Sequence, residues 1–141
     1  MPACVWSPRT FFPPPNEHAS LAVLLWSVGL NQPEHVATPF IMAQAAAALD
    51  ARVELYFSAQ SVVLLTPQAG ATRVGFGGEQ RDLSSYLNDT HAMGVTFWAC
   101  AQAMHALGLS EKDLISSCSG MGGTVPFMAR SLDPTWRTLV F

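Results

Sequence analysis

The sequence predicts a three-layer α/β/α domain on a mostly parallel sheet of about five strands, and three observations predict it. Apolar segments of strand length recur at LAVLLWSV (21–28), RVELYFS (52–58), VTFWA (95–99) and TWRTLVF (135–141). Segments of helical composition alternate with them, which is the pattern of strand–helix–strand units. The strands are near-continuous hydrophobic runs, as expected of strands covered on both faces by helices.

Taken in order, residues 1–19 form a Pro-rich extension with five prolines and no periodicity. Its Trp6, Phe11 and Phe12 are apolar enough to lie against the domain or a neighbouring subunit. A single domain, 20–141, follows. After the first strand, Thr38 and Pro39 make a good N-cap and first-turn pair for FIMAQAAAALD, whose alanines favour helix. Arg52 to Ser58 is β-branched and aromatic, hence a second strand. AQSVVLLT (59–66) is read as a short helix, and PQAGATRVGFGGEQ (67–80), rich in glycine, as a loop. DLSSYLNDTHAM (82–93) is a helix capped by Asp82, VTFWA a third strand, and 102–107 a short helix ended by Gly108. Leu114 to Cys118 is read as a fourth strand, SGMGG as a turn, TVPFMARSL as the last helix and TWRTLVF as the last strand.

The bulk composition narrows the function. With 141 residues the chain is one domain in size. Half the residues are hydrophobic and 12% are charged, an apolar balance that predicts extra buried surface and therefore a homo-oligomer. A net charge of −3 with seven scattered Lys and Arg argues against nucleic-acid binding. Three widely spaced cysteines, Cys4, Cys100 and Cys118, do not form a disulfide framework and fit a reducing, cytoplasmic compartment. The apolar stretch 21–30 is about half the ~20 residues a membrane span needs. It resembles a signal-peptide core, but no small-x-small cleavage site follows in NQPEHV, so a buried first strand and no membrane partner are expected.

The chemistry centres on Cys100. Parallel sheets of this kind work beyond the carboxyl ends of their strands, and Cys100 directly follows VTFWA and precedes a helix. Unpaired amides and the helix dipole at such a position favour the nucleophilic thiolate. The alternative is a buried cysteine that only fills space. Cys118, at the end of the next strand, is a candidate resolving partner, which would also permit thiol-based peroxide reduction. His35, in the loop after the first strand, lies at the same sheet edge. His105 is about 140° around a helix from Cys100 and is a poor partner, and His18 and His91 complete no metal-binding spacing. No metal and no cofactor are therefore expected. VGFGGE (74–79) and SGMGGT (119–124) match no phosphate-loop pattern and lack a following lysine. No Ser-His-Asp order or carboxylate pair stands at the strand ends, so any catalysis is thiol chemistry.

The block GVTFWACAQAMHALGLSEKDLI, with Cys100, Met104, Leu107, Gly108, Leu109, Asp113 and Leu114, resembles the DsrE/DsrF-like family of small sulfur-relay proteins. The order of features from GLNQPEHVATP through RVELYFSAQSVVLLTP agrees, so the likeness covers roughly 20–141. The resemblance implies an α/β/α sandwich assembling as trimers or hexamers. It also implies a sulfurtransferase-like role in which Cys100 takes a sulfane sulfur from a donor protein as a persulfide and passes it to an acceptor. The alternative within the same family is a non-catalytic binding or assembly subunit whose cysteine is structural.

Overall fold

The computed structural model describes residues 19–141; the expectations for Cys4, His18 and the aromatic residues of the extension fall outside them. Strand β1 (Ser20–Leu25) leads into helix α1 (Pro33–Ala48), then strand β2 (Arg52–Phe57). A 3-10 helix (Ala59–Leu65) and a second (Pro67–Ala71) precede a small antiparallel pair, β3 (Arg73–Val74) and β4 (Arg81–Asp82). Helix α2 (Leu83–Ala92), strand β5 (Thr96–Ala99) and helix α3 (Ala101–Ala106) follow. Strand β6 (Cys118–Met121), helix α4 (Thr124–Leu132) and strand β7 (Trp136–Val140) complete the chain.

The main sheet has the order β6-β5-β2-β1-β7 and is parallel throughout. Its two faces are read off the alternation along β1. Val23 and Leu25 join a large core with Val36 and Phe40 of α1, Leu83 and Leu87 of α2, and Met104 of α3. Ala22 and Leu24 point the other way, into a smaller cluster with Tyr56, Trp98, Phe127 of α4 and Trp136. The three-layer α/β/α architecture is thus present, with three helices on one face and α4 on the other.

Several boundaries differ from expectation for identifiable reasons. Helix α1 starts at Pro33, not Thr38: a proline in the first turn needs no acceptor for an N–H it lacks. Pro39 consequently lies inside the helix, where it forgoes one intrahelical hydrogen bond. Asp82 stands at the start of α2, but its carboxylate accepts from Arg73 Nη1 at 3.2 Å rather than capping the helix. The fourth strand lies at Cys118–Met121, because Ile115 N–H bonds Leu65 O and holds Leu114–Ser117 outside the sheet ladder. The short helix after β5 ends as expected. Gly108 adopts φ 69°, Gly108 N–H bonds His105 O and Leu109 N–H bonds Met104 O, a Schellman closure.

Connection geometry decides where a ligand can sit. β1, β2, β5 and β6 step successively toward one edge, and the return from β6 to β7 crosses the opposite face through α4. The chain therefore leaves β5 and β6 toward opposite faces, opening a crevice at their carboxyl ends. Such a switch point is where open parallel sheets bind ligands.

Candidate functional site

Cys100 occupies that switch point. The ladder carries it there: its N–H donates to Phe57 O at 2.9 Å, and its carbonyl accepts from Met104 N–H at 3.0 Å as α3 begins. Cys100 is 8% exposed and lines a cleft of about 180 Å³. The sheet contributes Leu24, Tyr56 and Phe57 to the walls, and α4 contributes Thr124, Phe127 and Met128. Ser58 also lines the cleft, and the chain turns away at Ala59, whose φ of 47° is in the left-handed region. That conformation is costly for a residue with a Cβ.

The far wall is glycine, where a Cβ would be a tight fit. A Cβ on Gly123 would lie 3.2 Å from Cys100 Sγ, and one on Gly122 would lie 3.1 Å from the Trp98 Cβ. SGMGG is thus not a simple turn. Ser119–Met121 belong to β6, and Gly122–Gly123 bring the start of α4 down onto the thiol. The amides of Thr124 and Val125, in the first turn of this nine-residue helix, have no acceptor within it.

Beneath the cleft, α4 is fastened to the sheet by a buried carboxylate. Glu54, 2% exposed on β2, accepts from Arg130 Nε and Nη2 at 3.0 Å each, from Arg52 Nη2 at 3.0 Å, and from the Tyr56 hydroxyl. Burial alone would raise Glu54, but the hydrogen bonds from Arg130 and Tyr56 and the charges of Arg130 and Arg52 outweigh it, and its carboxyl is held below the usual range. Burial and the hydrogen bond to Glu54 push Tyr56 up to about 12. The Arg130 guanidinium also lies 4.3 Å over the Trp136 ring.

The other sequence candidates do not meet the thiol. β6 does adjoin β5, as a resolving partnership would require, but Cys118 pairs with Phe97, three residues before Cys100. About 10 Å of strand therefore separates the two positions, beyond the ~7 Å between Cα atoms that a disulfide spans. Burial pushes the Cys118 thiol up, and its S–H faces the carbonyls of Phe97 and Gly120. His35 lies in the first turn of α1, with Gln32 Oε1 3.2 Å from its ring and Glu34 beside it, and neither it nor His105 lines the cleft. Sequence reasoning missed Tyr56, Phe127, Met128 and the Glu54–Arg130 pair. Glu54 alone carried a signal, as a charge inside a strand that is otherwise apolar after Arg52.

A thiol at the carboxyl edge of a parallel sheet, opening on an apolar cleft, defines a small α/β/α domain with sulfur chemistry available to it. The DsrE/DsrF-like family pattern matches residues 23–132, and the chain belongs to that family. Solved structures agree on the fold. A protein of unknown function, MTH1491, from Methanobacterium thermoautotrophicum has a TM-score of 0.63 at 16% identity, covering 87% of this chain and 99% of its own. The ychN protein from E. coli has a TM-score of 0.58 at 15% identity, covering 87% and 98%. No curated protein matches the sequence. No helix among the described residues is long and apolar enough to cross a membrane.

Proposed function

We propose that this protein is a cytoplasmic sulfur-relay carrier that holds sulfane sulfur as a persulfide on Cys100 and passes it to an acceptor protein. The observation that carries the reading is the placement of Cys100 at the sheet's switch point, on the wall of a cleft. Sulfur transfer between thiols is an exchange at sulfur governed by thiolate character and access. It needs no metal and no general acid or base, and the described residues that line the cleft include neither His nor carboxylate. The reduced protein, treated with a sulfane-sulfur donor and mapped by peptide mass, is expected to gain one sulfur on Cys100 and none on Cys118. Equal gain by wild type and Cys100→Ser overturns the proposal.

The 8% exposure of Cys100 favours a second reading, an assembly subunit with a structural cysteine. Iodoacetamide separates the two. A carrier's Cys100 alkylates in the native state at pH 7, whereas a structural one reacts only after unfolding.

Assembly belongs to the same proposal. Val125 and Leu132 on α4 are 80% and 79% exposed and stand seven residues apart on one face of the helix. This outward apolar stripe supports a homo-oligomer, a trimer or hexamer, packed through α4. Light scattering is expected to give several chain masses for the wild type and a smaller assembly for Val125→Asp/Leu132→Asp. Wild type eluting as a monomer at micromolar concentration refutes this part.

A further inference from the structure

We infer that the sulfur donor for Cys100 is a persulfide borne on an apolar group, R–S–SH, rather than a small hydrated oxyanion such as thiosulfate. This inference rests on the carrier role proposed for Cys100 and specifies its substrate.

The lining of the cleft selects the donor. None of the described residues that line it is charged. Arg130, on the same helix as Phe127 and Met128, is bound to Glu54 through two contacts of 3.0 Å and lies over Trp136, so its guanidinium is not free to meet an anion. Leu24, Tyr56, Phe57, Phe127 and Met128 instead offer an apolar wall beside the thiol. A dry cavity of ~150 Å³ holds benzene, so the ~180 Å³ here takes a phenyl-sized or branched alkyl group. The start of α4 offers about half a positive charge. That suits the single charge a persulfide can carry, but does not replace the hydration of a dianion with three oxygens.

The transfer balances without an added oxidant or reductant. Cys100 Sγ attacks the outer sulfur of R–S–SH, the Sγ–S bond forms and the R–S···S bond breaks. R departs as a thiolate and takes up the proton released from the Cys100 thiol. The products are Cys100–S–SH and R–SH. The apolar wall holds R while its sulfur leaves, and the missing Cβ of Gly123 leaves room beside Sγ for the outer sulfur.

The test uses the full chain, reduced, with benzyl persulfide, glutathione persulfide or thiosulfate at equal concentration. Sulfur gain is followed by intact mass, and each rate is divided by that of the urea-unfolded chain to remove intrinsic donor reactivity. Benzyl persulfide is expected to exceed glutathione persulfide by about tenfold or more, the worth of two buried methylenes, and thiosulfate is expected to load nothing. Met128→Glu, which places a carboxylate at the cleft wall, is expected to bring the benzyl-to-glutathione ratio toward one. A wild-type ratio near or below one, or loading by thiosulfate, overturns the inference while leaving the carrier role standing. If no donor loads folded protein while the unfolded chain reacts, the carrier role fails and this inference with it.

Discussion

Replacing Arg130 by methionine is expected to cost about 3 kcal/mol of folding stability, measured by urea denaturation. Breaking a buried ion pair by removing one partner typically costs ~3–5 kcal/mol, because the remaining charge is left uncompensated. Glu54 is that charge: it is 2% exposed and would keep only Arg52 and the Tyr56 hydroxyl. The low end of the range applies because Arg52 stays in place, though its own side chain is 66% exposed and screened. The paired replacement Glu54→Gln with Arg130→Met is expected to recover part of the loss, since no bare charge then remains. The same contact sets a pH dependence. The folded-state Glu54 carboxyl lies below its ordinary value of 4.5, so its contribution is fully present above that value. It is lost as pH falls through the lower, folded value. Wild type should therefore lose stability as pH falls below 4.5, and Arg130→Met should show a shallower acid limb over the same window. Identical acid limbs would remove Glu54 from the account.

Gly123→Val is expected to slow alkylation and sulfur loading of Cys100 by about 10²-fold, the scale on which ångström displacements at a reacting centre are felt. A Cβ at this position already reaches 3.2 Å from Sγ, and valine adds two methyls to it. The substitution lies at the first residue before α4, whose hold on the sheet rests on Phe127 and on the Glu54–Arg130 contact. A retained far-UV circular dichroism spectrum with slow iodoacetamide reaction is the expected pair of results. Unchanged alkylation would mean that the thiol is reached from another side.

These two sites show how far the letters of the sequence reach. LAVLLWSV, RVELYFS and VTFWA were legible as strands because burial on both faces demands continuous apolar runs, a local property, whereas TWRTLVF forms the edge strand β7, in which Leu139 and Val140 are exposed. Cys100 was legible because it directly follows one such run, and the block through Leu114 carried the family pattern confirmed over residues 23–132. The start of α1 and the position of β6 were not. Pro33 and Pro39 are both compatible with a first turn, and only packing of Val36, Ala37 and Phe40 under the sheet chooses between them. Leu114–Cys118 looks like a strand by composition, yet a single hydrogen bond from Ile115 to Leu65 takes its first part elsewhere.

The cleft is a further step removed. Tyr56, Phe127, Met128 and Gly123 are separated by up to 72 positions (56 to 128), and each reads by itself as an ordinary core or turn residue. Strand order β6-β5-β2-β1-β7 brings them together, and no periodicity encodes strand order. The sequence by itself therefore determined the fold class, the family and the thiol, because each depends on neighbouring residues. The tertiary structure alone decided that Cys118 and His35 stand apart from Cys100, that Gly123 faces the sulfur, and that an uncharged wall of described residues lies beside it. Those facts depend on which strands become neighbours and on which face the chain crosses back.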